Sequence, residues 1–317
     1  VAGLVSVIIP VFNRRNLLLK TLDSVAEQTY ENIEILLVDD GSDEEYAEFY
    51  RTLPKTYNGL TLFRQANLGP GAAREHARRN ARGEFIPYLD SDDILASRKL
   101  SQQVATLRAK PEAGICYGAV GQIIDDKISD IPIRKTHIPN MTMLPSLLIE
   151  RWWQTAAPLY RRSLTDRVGA WTNLINEEDW EYDLRAASLG TQLCYADEIV
   201  CYRTRHDDHL SHHGDKDRNK LQSRAQARGL MYQSARSYER QDFKPLITKD
   251  DWDFFGRSAF LLARQCASVG LEKEYSFLFD ISVDAIGKRT VQHRLFSALV
   301  TVFGSRFATR LIVFVGR

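Results

Sequence analysis

The sequence predicts an α/β fold, a mostly parallel sheet flanked by helices and followed by a helical carboxyl-terminal extension. Two observations carry this. The run VSVIIP at residues 5–10 is continuous, apolar and β-branched, and it breaks at Pro10 and Asn13 as a strand buried on both faces does when it reaches a loop. A second apolar run at 33–38 follows a stretch, 16–28, in which Leu18, Leu19, Leu22, Val25 and Ala26 recur at helical spacing. Together the three segments make a β-α-β unit.

The alternation continues with a helix after Asp43, a strand near 60–63, a helix over 71–81, a strand over 85–89 and then another helix. Ligands of open α/β sheets bind beyond the carboxyl ends of the strands, which points to residues 10–13, 39–42, 67–74 and 90–93, all polar or glycine-rich. Pro132, Pro139 and Pro145 break any period across 129–145, so a long loop bordering a pocket is expected there. After Gly214 the chain turns helical and basic, with Lys216, Arg218, Lys220, Arg224, Arg228, Arg236 and Arg240. The domain boundary is placed at that change, giving a sheet domain over 1–214 and a helical region over 215–317.

At 317 residues, 44% hydrophobic and 26% charged, the chain is globular rather than disordered or fibrous. Its net charge of +1 lacks the basic excess of nucleic-acid binders, so nucleic acid is not an expected partner. Cys116, Cys194, Cys201 and Cys266 lie far apart with no C-x-x-C spacing. That argues against a zinc knuckle or a disulfide framework and for reduced thiols in a cytoplasmic compartment. The first apolar run has strand length and lacks the basic flank and cleavage site of a secretory signal.

The sharpest pattern is Asp90, Asp92 and Asp93 directly after FIPYL at 85–89. Carboxylates at alternate positions of a strand-ending turn can converge on one hard cation, because Mg²⁺ and Mn²⁺ take oxygen ligands and share bound phosphates. The competing reading is that Asp92 or Asp93 caps the next helix. Asp39 and Asp40 end another strand, followed by Gly41 for a tight turn and Ser42 as a helix N-cap. An aspartate there can accept a hydrogen bond from a base N–H. Between these clusters, NLGPGAAR at 67–74 joins a turn to a helix start, a geometry suited to a phosphate-bearing ligand, with Arg74 placed to meet a base or a diphosphate. The segment matches neither G-x-x-x-x-G-K-[ST] nor G-x-G-x-x-G, which removes the main support for a P-loop NTPase or a dinucleotide-binding dehydrogenase.

Glu177, Glu178 and Asp179 open a predicted helix carrying Trp180 and Leu184. They either favour the helix dipole from its first turn or supply a general base. Residues 202–213 hold Tyr202, Arg203, His206, His209, His212 and His213, a spacing compatible with metal binding or with a polar loop touching phosphates.

Taken together, SVIIPVFN at 6–13, VDDGS at 38–42, NLG at 67–69, GEFIPYLDSDD at 83–93 and the Glu178, Asp179 pair resemble, in order and spacing, the family 2 glycosyltransferases with the GT-A fold. The resemblance covers residues 4–210 and implies that 1–214 is a catalytic domain. It implies transfer, with inversion, of a sugar from a nucleoside-diphosphate donor, UDP foremost, to a hydroxyl of a glycan or lipid-linked glycan. Pro10, Asn13 and Asp40 would line the nucleoside pocket, with Asp40 facing the base and Arg74 near the nucleotide. Asp92 would coordinate Mn²⁺ or Mg²⁺, and Asp90 would contact the ribose or the metal shell. Asp179 would be the catalytic base, and Arg203 and His206 would meet the diphosphate. The processive members carry a Q/R-x-x-R-W motif and several membrane spans, neither of which is evident. Two rival readings are a non-catalytic nucleotide-sugar-binding scaffold of the same fold and a metal-dependent nucleotidyltransferase, which releases pyrophosphate.

After Asp284 no acid occurs, while Lys288, Arg289, Arg294, Arg306, Arg310 and Arg317 interleave with apolar residues that include Val291, Leu295, Leu299 and Phe303. A basic amphipathic helix of this kind lies in an anionic membrane surface, or packs its stripe on the protein or on a second subunit as a homo-oligomer. Arg306 and Arg310 argue against a spanning helix. The expected location is cytoplasmic, peripheral on the inner face of the plasma membrane in the first of these readings.

Overall fold

The computed structural model describes residues 1–140, 142–205, 217–239 and 247–305. Strands β1 (Val5–Val11), β2 (Ile33–Asp39), β3 (Leu60–Arg64), β4 (Phe85–Ile86), β5 (Ile94–Leu95), β6 (Ala113–Ile124), β7 (Lys127–Ser129), β8 (Leu159–Arg161) and β9 (Gln192–Thr204) form one sheet. Its order is β3-β2-β1-β4-β8-β6-β9-β5, with β7 paired to β6. β1 is parallel to β2 and β4, β2 to β3, and β6 to β9. β8 runs antiparallel to β4 and β6, and β5 antiparallel to β9, so the sheet is mixed, with its parallel pairs among β1 to β4 and between β6 and β9.

Helices α1 (Asn16–Ala26), α2 (Glu44–Tyr50), α3 (Pro70–Asn80) and α4 (Lys99–Ala109) connect the strands. α3 packs on β1 and β2, and α4 on β6, β8 and β9. Every residue of β1 is buried, as its five Val and Ile residues require of a strand covered on both faces. Glu34 sits inside this layer because its carboxylate accepts from Ser6 Oγ at 2.6 Å and from Arg82 N and Nε at 2.7 and 2.9 Å. Burial pushes that carboxyl up, but these donors and the Arg82 charge more than offset it and hold Glu34 below its ordinary value.

Two expected caps are corrected. Ser42 does not cap α2, which begins behind Asp43, and the Ser42 hydroxyl instead accepts from Asn13 N–H. Asp92 and Asp93 do not cap α4, which begins behind Arg98, because Ile94 and Leu95 first pair with Tyr202 and Cys201.

The chain divides into two compact units. One holds the whole sheet and comprises 1–143, 151–173 and 189–207. The other is helical and takes 144–150, 174–188 and the described residues beyond 208. The boundary read at 214 therefore falls outside the described residues. Two earlier helices, α5 (Ser146–Ile149) and α7 (Glu178–Ser188), pack with the carboxyl-terminal ones, whereas α6 (Arg162–Val168) stays with the sheet.

In the helical unit α8 (Arg218–Glu239), α9 (Lys249–Ser268), α10 (Glu272–Ile286) and α11 (Val291–Phe303) enclose a core built on Leu221, Phe260, Leu278, Phe279 and Phe296. Thr248 and Thr290 open α9 and α11 with reciprocal capping boxes, which fixes where each helix starts. All four cysteines are buried and unbridged. Among the described residues no helix is long and apolar enough to cross a membrane.

Candidate functional site

The carboxyl ends of β1, β2 and β4 carry the polar residues singled out in the sequence. Pro10 is buried within β1 opposite Val38. Beyond the strand Asn13 turns with φ of 45° and stitches two loops together. Its N–H donates to Ser42 Oγ at 2.9 Å, its Nδ2 donates to Asp43 Oδ2 at 3.0 Å, and its Oδ1 accepts from Asp43 N–H at 2.8 Å. Gly41 turns the second loop at φ of 76°, and a Cβ there would lie 2.5 Å from Asn67 N, so only glycine lets the two strand-end loops approach.

Asp39 Oδ1 accepts from Ser42 N–H at 2.8 Å, and its Oδ2 lies 3.4 Å from Arg64 Nε. Asp40, read as facing a base, is turned toward the next loop. Its Oδ1 accepts from Gln65 Nε2 at 2.9 Å and Leu68 N–H at 3.0 Å, and its Oδ2 accepts from Gly69 N–H at 2.9 Å. Asp40 therefore shapes the turn that leads, through Gly69 at φ of 91° and Pro70, into α3.

Arg74 follows in α3 and is 3% exposed. Its Nη2 donates to Asp90 Oδ1 at 2.6 Å, and its guanidinium carbon lies 4.9 Å from the Trp171 ring centre. Arg14 Nη1 donates to Asp92 Oδ2 at 2.7 Å. Asp93 is buried and accepts from Thr204 N–H at 3.3 Å. Oxygens of Asp90, Asp92 and Asp93 all lie within 4.8 Å of one another. Burial, then the charges of Asp92 and Asp90, push the Asp93 carboxyl well above the ordinary carboxylate range, against the opposing pull of Thr204 N–H and the Arg203 cation. Three oxygen donors that repel one another suit a small hard divalent ion such as Mg²⁺ or Mn²⁺.

The structure thus brings Asp90, Asp92, Arg74 and Arg203 into one neighbourhood and sets Pro10 near the end of β1 and Asn13 and Asp40 in the loops that follow β1 and β2. His206 lies outside the described residues. Asp179 is the second residue of α7, in the helical unit, and its Oδ1 accepts from Trp180 N–H at 2.7 Å. Arg14 and Trp171 join the site beyond the sequence reading, and Asp93, grouped with Asp90 and Asp92 in the sequence, is the buried member of the cluster. Arg14 had a usable signal, since it directly follows Asn13 in a strand-end loop; Trp171 had none.

The profile described as "Glycosyl transferase family 2" matches residues 6–164, half of the chain. The chain belongs to glycosyltransferase family 2. Among relatives of this family 2 glycosyltransferase, an uncharacterized glycosyltransferase of Haemophilus influenzae is 38% identical over 102 residues, 32% of this chain and 41% of that protein. Glycosyltransferase GlyA of Streptococcus pneumoniae is 39% identical over 89 residues, 28% of this chain and 13% of that one. Both matches span less than half the length of the relative.

Two solved structures share the fold. TarS 1–349 of S. aureus, in complex with UDP-GlcNAc, gives a TM-score of 0.59 at 17% identity and covers 89% of each chain. The mannosyltransferase PcManGT from Pyrobaculum calidifontis, in complex with GDP-Man and Mn²⁺, gives 0.55 at 19% identity and covers 96% of this chain and 83% of its own. The fold is the GT-A fold.

Proposed function

We propose that this protein is an inverting glycosyltransferase that moves a sugar from a nucleoside-diphosphate donor, UDP-linked first of all, to a hydroxyl of a glycan or lipid-linked glycan. The observation that carries this reading is the gathering of Asp90, Asp92 and Asp93 within 4.8 Å at the end of a strand, with Arg14 and Arg74 on two of them. Support comes from the nucleotide sugars held by TarS and by the mannosyltransferase.

Asp92, with Asp90 and Asp93 beside it, would hold Mn²⁺ or Mg²⁺. Such an ion, when bound, supplies positive charge to the departing diphosphate. Pro10, Asn13 and the turn fixed by Asp40 shape the nucleoside side, Arg74 keeps Asp90 in place, and Arg203 and His206 meet the diphosphate. The acceptor oxygen attacks the anomeric carbon opposite the leaving group, its proton passes to the Asp179 carboxylate, and the anomeric C–O bond breaks with its electron pair going to the diphosphate.

A membrane-surface location is supported by α11. Val291, Leu295 and Val302 recur at helical spacing and are 72%, 59% and 70% exposed, while His293 and Phe296 on the other side are buried. Lys288, Arg289 and Arg294 flank this stripe. The full chain should float with phosphatidylglycerol vesicles and Leu295→Glu should not. Equal flotation of both would remove the membrane reading, and self-association of the full chain in sedimentation would favour a second copy.

The activity is tested by incubating the protein with Mn²⁺ and UDP-GlcNAc, UDP-glucose, UDP-galactose or GDP-mannose and identifying the released nucleotide. A nucleoside diphosphate is expected. Pyrophosphate release in a parallel incubation with UTP or GTP and a sugar 1-phosphate would instead make the protein a nucleotidyltransferase, and binding without release would make it a scaffold.

A further inference from the structure

We propose that Glu177, Arg224 and Arg228 form a clamp that positions the Asp179 carboxylate, a role that rests on the reading of Asp179 as the base. All four residues belong to the helical unit. The chain reaches α7 along α8, where Ile175 N–H and Asn176 N–H donate to Ser223 Oγ at 3.0 and 3.4 Å. Glu177 then adopts φ of 59°, a left-handed conformation that a side chain carrying Cβ rarely takes. Its carbonyl accepts from Glu181 N–H at 3.0 Å and so starts the helix.

Such a conformation persists only where the surroundings hold it. Here two arginines one turn apart on α8 do so. Arg224 Nε donates to Glu177 Oε1 at 2.9 Å, and Arg228 Nη2 lies 3.5 Å from Oε2. Arg228 is 4% exposed, with its guanidinium carbon 4.9 Å from the Trp180 ring centre and 5.5 Å from that of Phe255. Trp180 is fixed at its other end, where Nε1 donates to Leu147 O at 2.7 Å. The residues on both sides of the Glu178, Asp179 pair are therefore anchored by one helix face.

Stability alone is a poor reason for this arrangement. Glu177 Oε2 and Arg228 Nε are buried and make no hydrogen bond among the described residues. A buried ion pair left partly unsatisfied is commonly no more stable than apolar residues of the same shape. The feature the clamp does determine is the direction in which the first turn of α7 presents its carboxylates. A displacement of about 1 Å at a reacting group costs on the order of 100-fold in rate.

The test uses the full chain and the nucleotide sugar, of UDP-GlcNAc and GDP-mannose, that gives nucleoside diphosphate release with Mn²⁺. Glu177→Gln, Glu177→Gly, Asp179→Asn and the double variant Glu177→Gln/Asp179→Asn are compared for kcat, donor KM and melting temperature. Both Glu177 variants should lose about 10- to 100-fold in kcat with donor KM within about threefold. Glu177→Gly takes this φ without strain but leaves the buried Arg228 cation without its carboxylate, so it should melt below the parent while staying folded at the assay temperature. The double variant should be no slower than Asp179→Asn, since Glu177 acts only through Asp179. Losses that multiply in the double variant, or unchanged kcat in both Glu177 variants, would overturn the clamp and leave the base standing. Parental turnover in Asp179→Asn would instead remove the base itself, and the clamp with it.

Discussion

The sheet unit and the helical unit use buried charge in opposite ways. In the sheet unit Asp90, Asp92 and Asp93 gather after the carboxyl end of β4, like charges whose oxygens lie within 4.8 Å of one another. Arg14 and Arg74 pair with Asp92 and Asp90, and Asp93 is pushed well up by burial and its acidic neighbours. In the helical unit Glu177 and Arg228 are opposite in sign and face each other, and the surrounding core is aromatic and aliphatic. Opposite charges held face to face need no further ion. A cluster of acids is relieved by a cation from outside, so the same physics marks one region as a binding site and the other as a support.

Asp179 crosses this division, because it would place a reacting group in the supporting unit. Asp179→Asn is expected to lower kcat by about two to four decades, the scale of a general base, with donor binding kept. Turnover equal to the parent would return the helical unit to support alone. Phe296→Ala should cost about 3–5 kcal/mol in urea unfolding, since Phe296 is fully buried among Phe260, Tyr275 and Phe279. At low temperature the folded fraction should still bind a nucleotide, and failure to do so would blur the two regions. Gly41→Ala should cost about 1–3 kcal/mol and weaken nucleotide binding, because the new Cβ meets Asn67 N at the turn that Asp40 holds.

The smallest effect expected is one of pH on the helical unit. Ser282 Oγ donates to Gly256 O, so His293 Nε2–H must donate to Ser282 Oγ, while Nδ1 accepts from Thr290 N–H at 3.2 Å. Burial, and then the Arg289 charge, hold this imidazole below its ordinary value. The unfolded chain takes up a proton below about pH 6.5 and the folded chain only further down. Stability present above that pH is therefore lost as pH falls through it. Melting should move downward between about pH 7.5 and 5.5 in the parent and move less in His293→Gln. Equal shifts in the two would show that His293 is neutral to folding.

β1 and β2 were legible because parallel strands covered on both faces are largely apolar runs, whereas β3 is a partly exposed edge strand read from Leu60, Leu62 and Phe63. β6 and β9 were not. They mix Gly, Gln, Asp and Glu with apolar residues, and their pairing depends on register shifts and on Gly118, where a Cβ would lie 2.5 Å from Val200 Cγ1. The expected strand over 85–89 shortens to β4 because Pro87 has no N–H to donate, and a single bridge from Ile8 to Tyr88 continues it. In the site, Asp90, Asp92 and Arg74 could be read from local motifs. The pair of Arg14 with Asp92 spans 78 residues, and the partners of Asp40 are backbone groups that only the folded loops bring to it.

The central claim, that Asp90, Asp92 and Asp93 form a divalent-ion site for a nucleotide sugar, is tested most directly by calorimetric titration of UDP, GDP and dTDP into the parent and Asp92→Ala, with Mn²⁺ and with chelator. The account predicts that one nucleoside diphosphate binds the parent only with Mn²⁺ and does not bind Asp92→Ala. Binding that is indifferent to the metal and to Asp92 would contradict it.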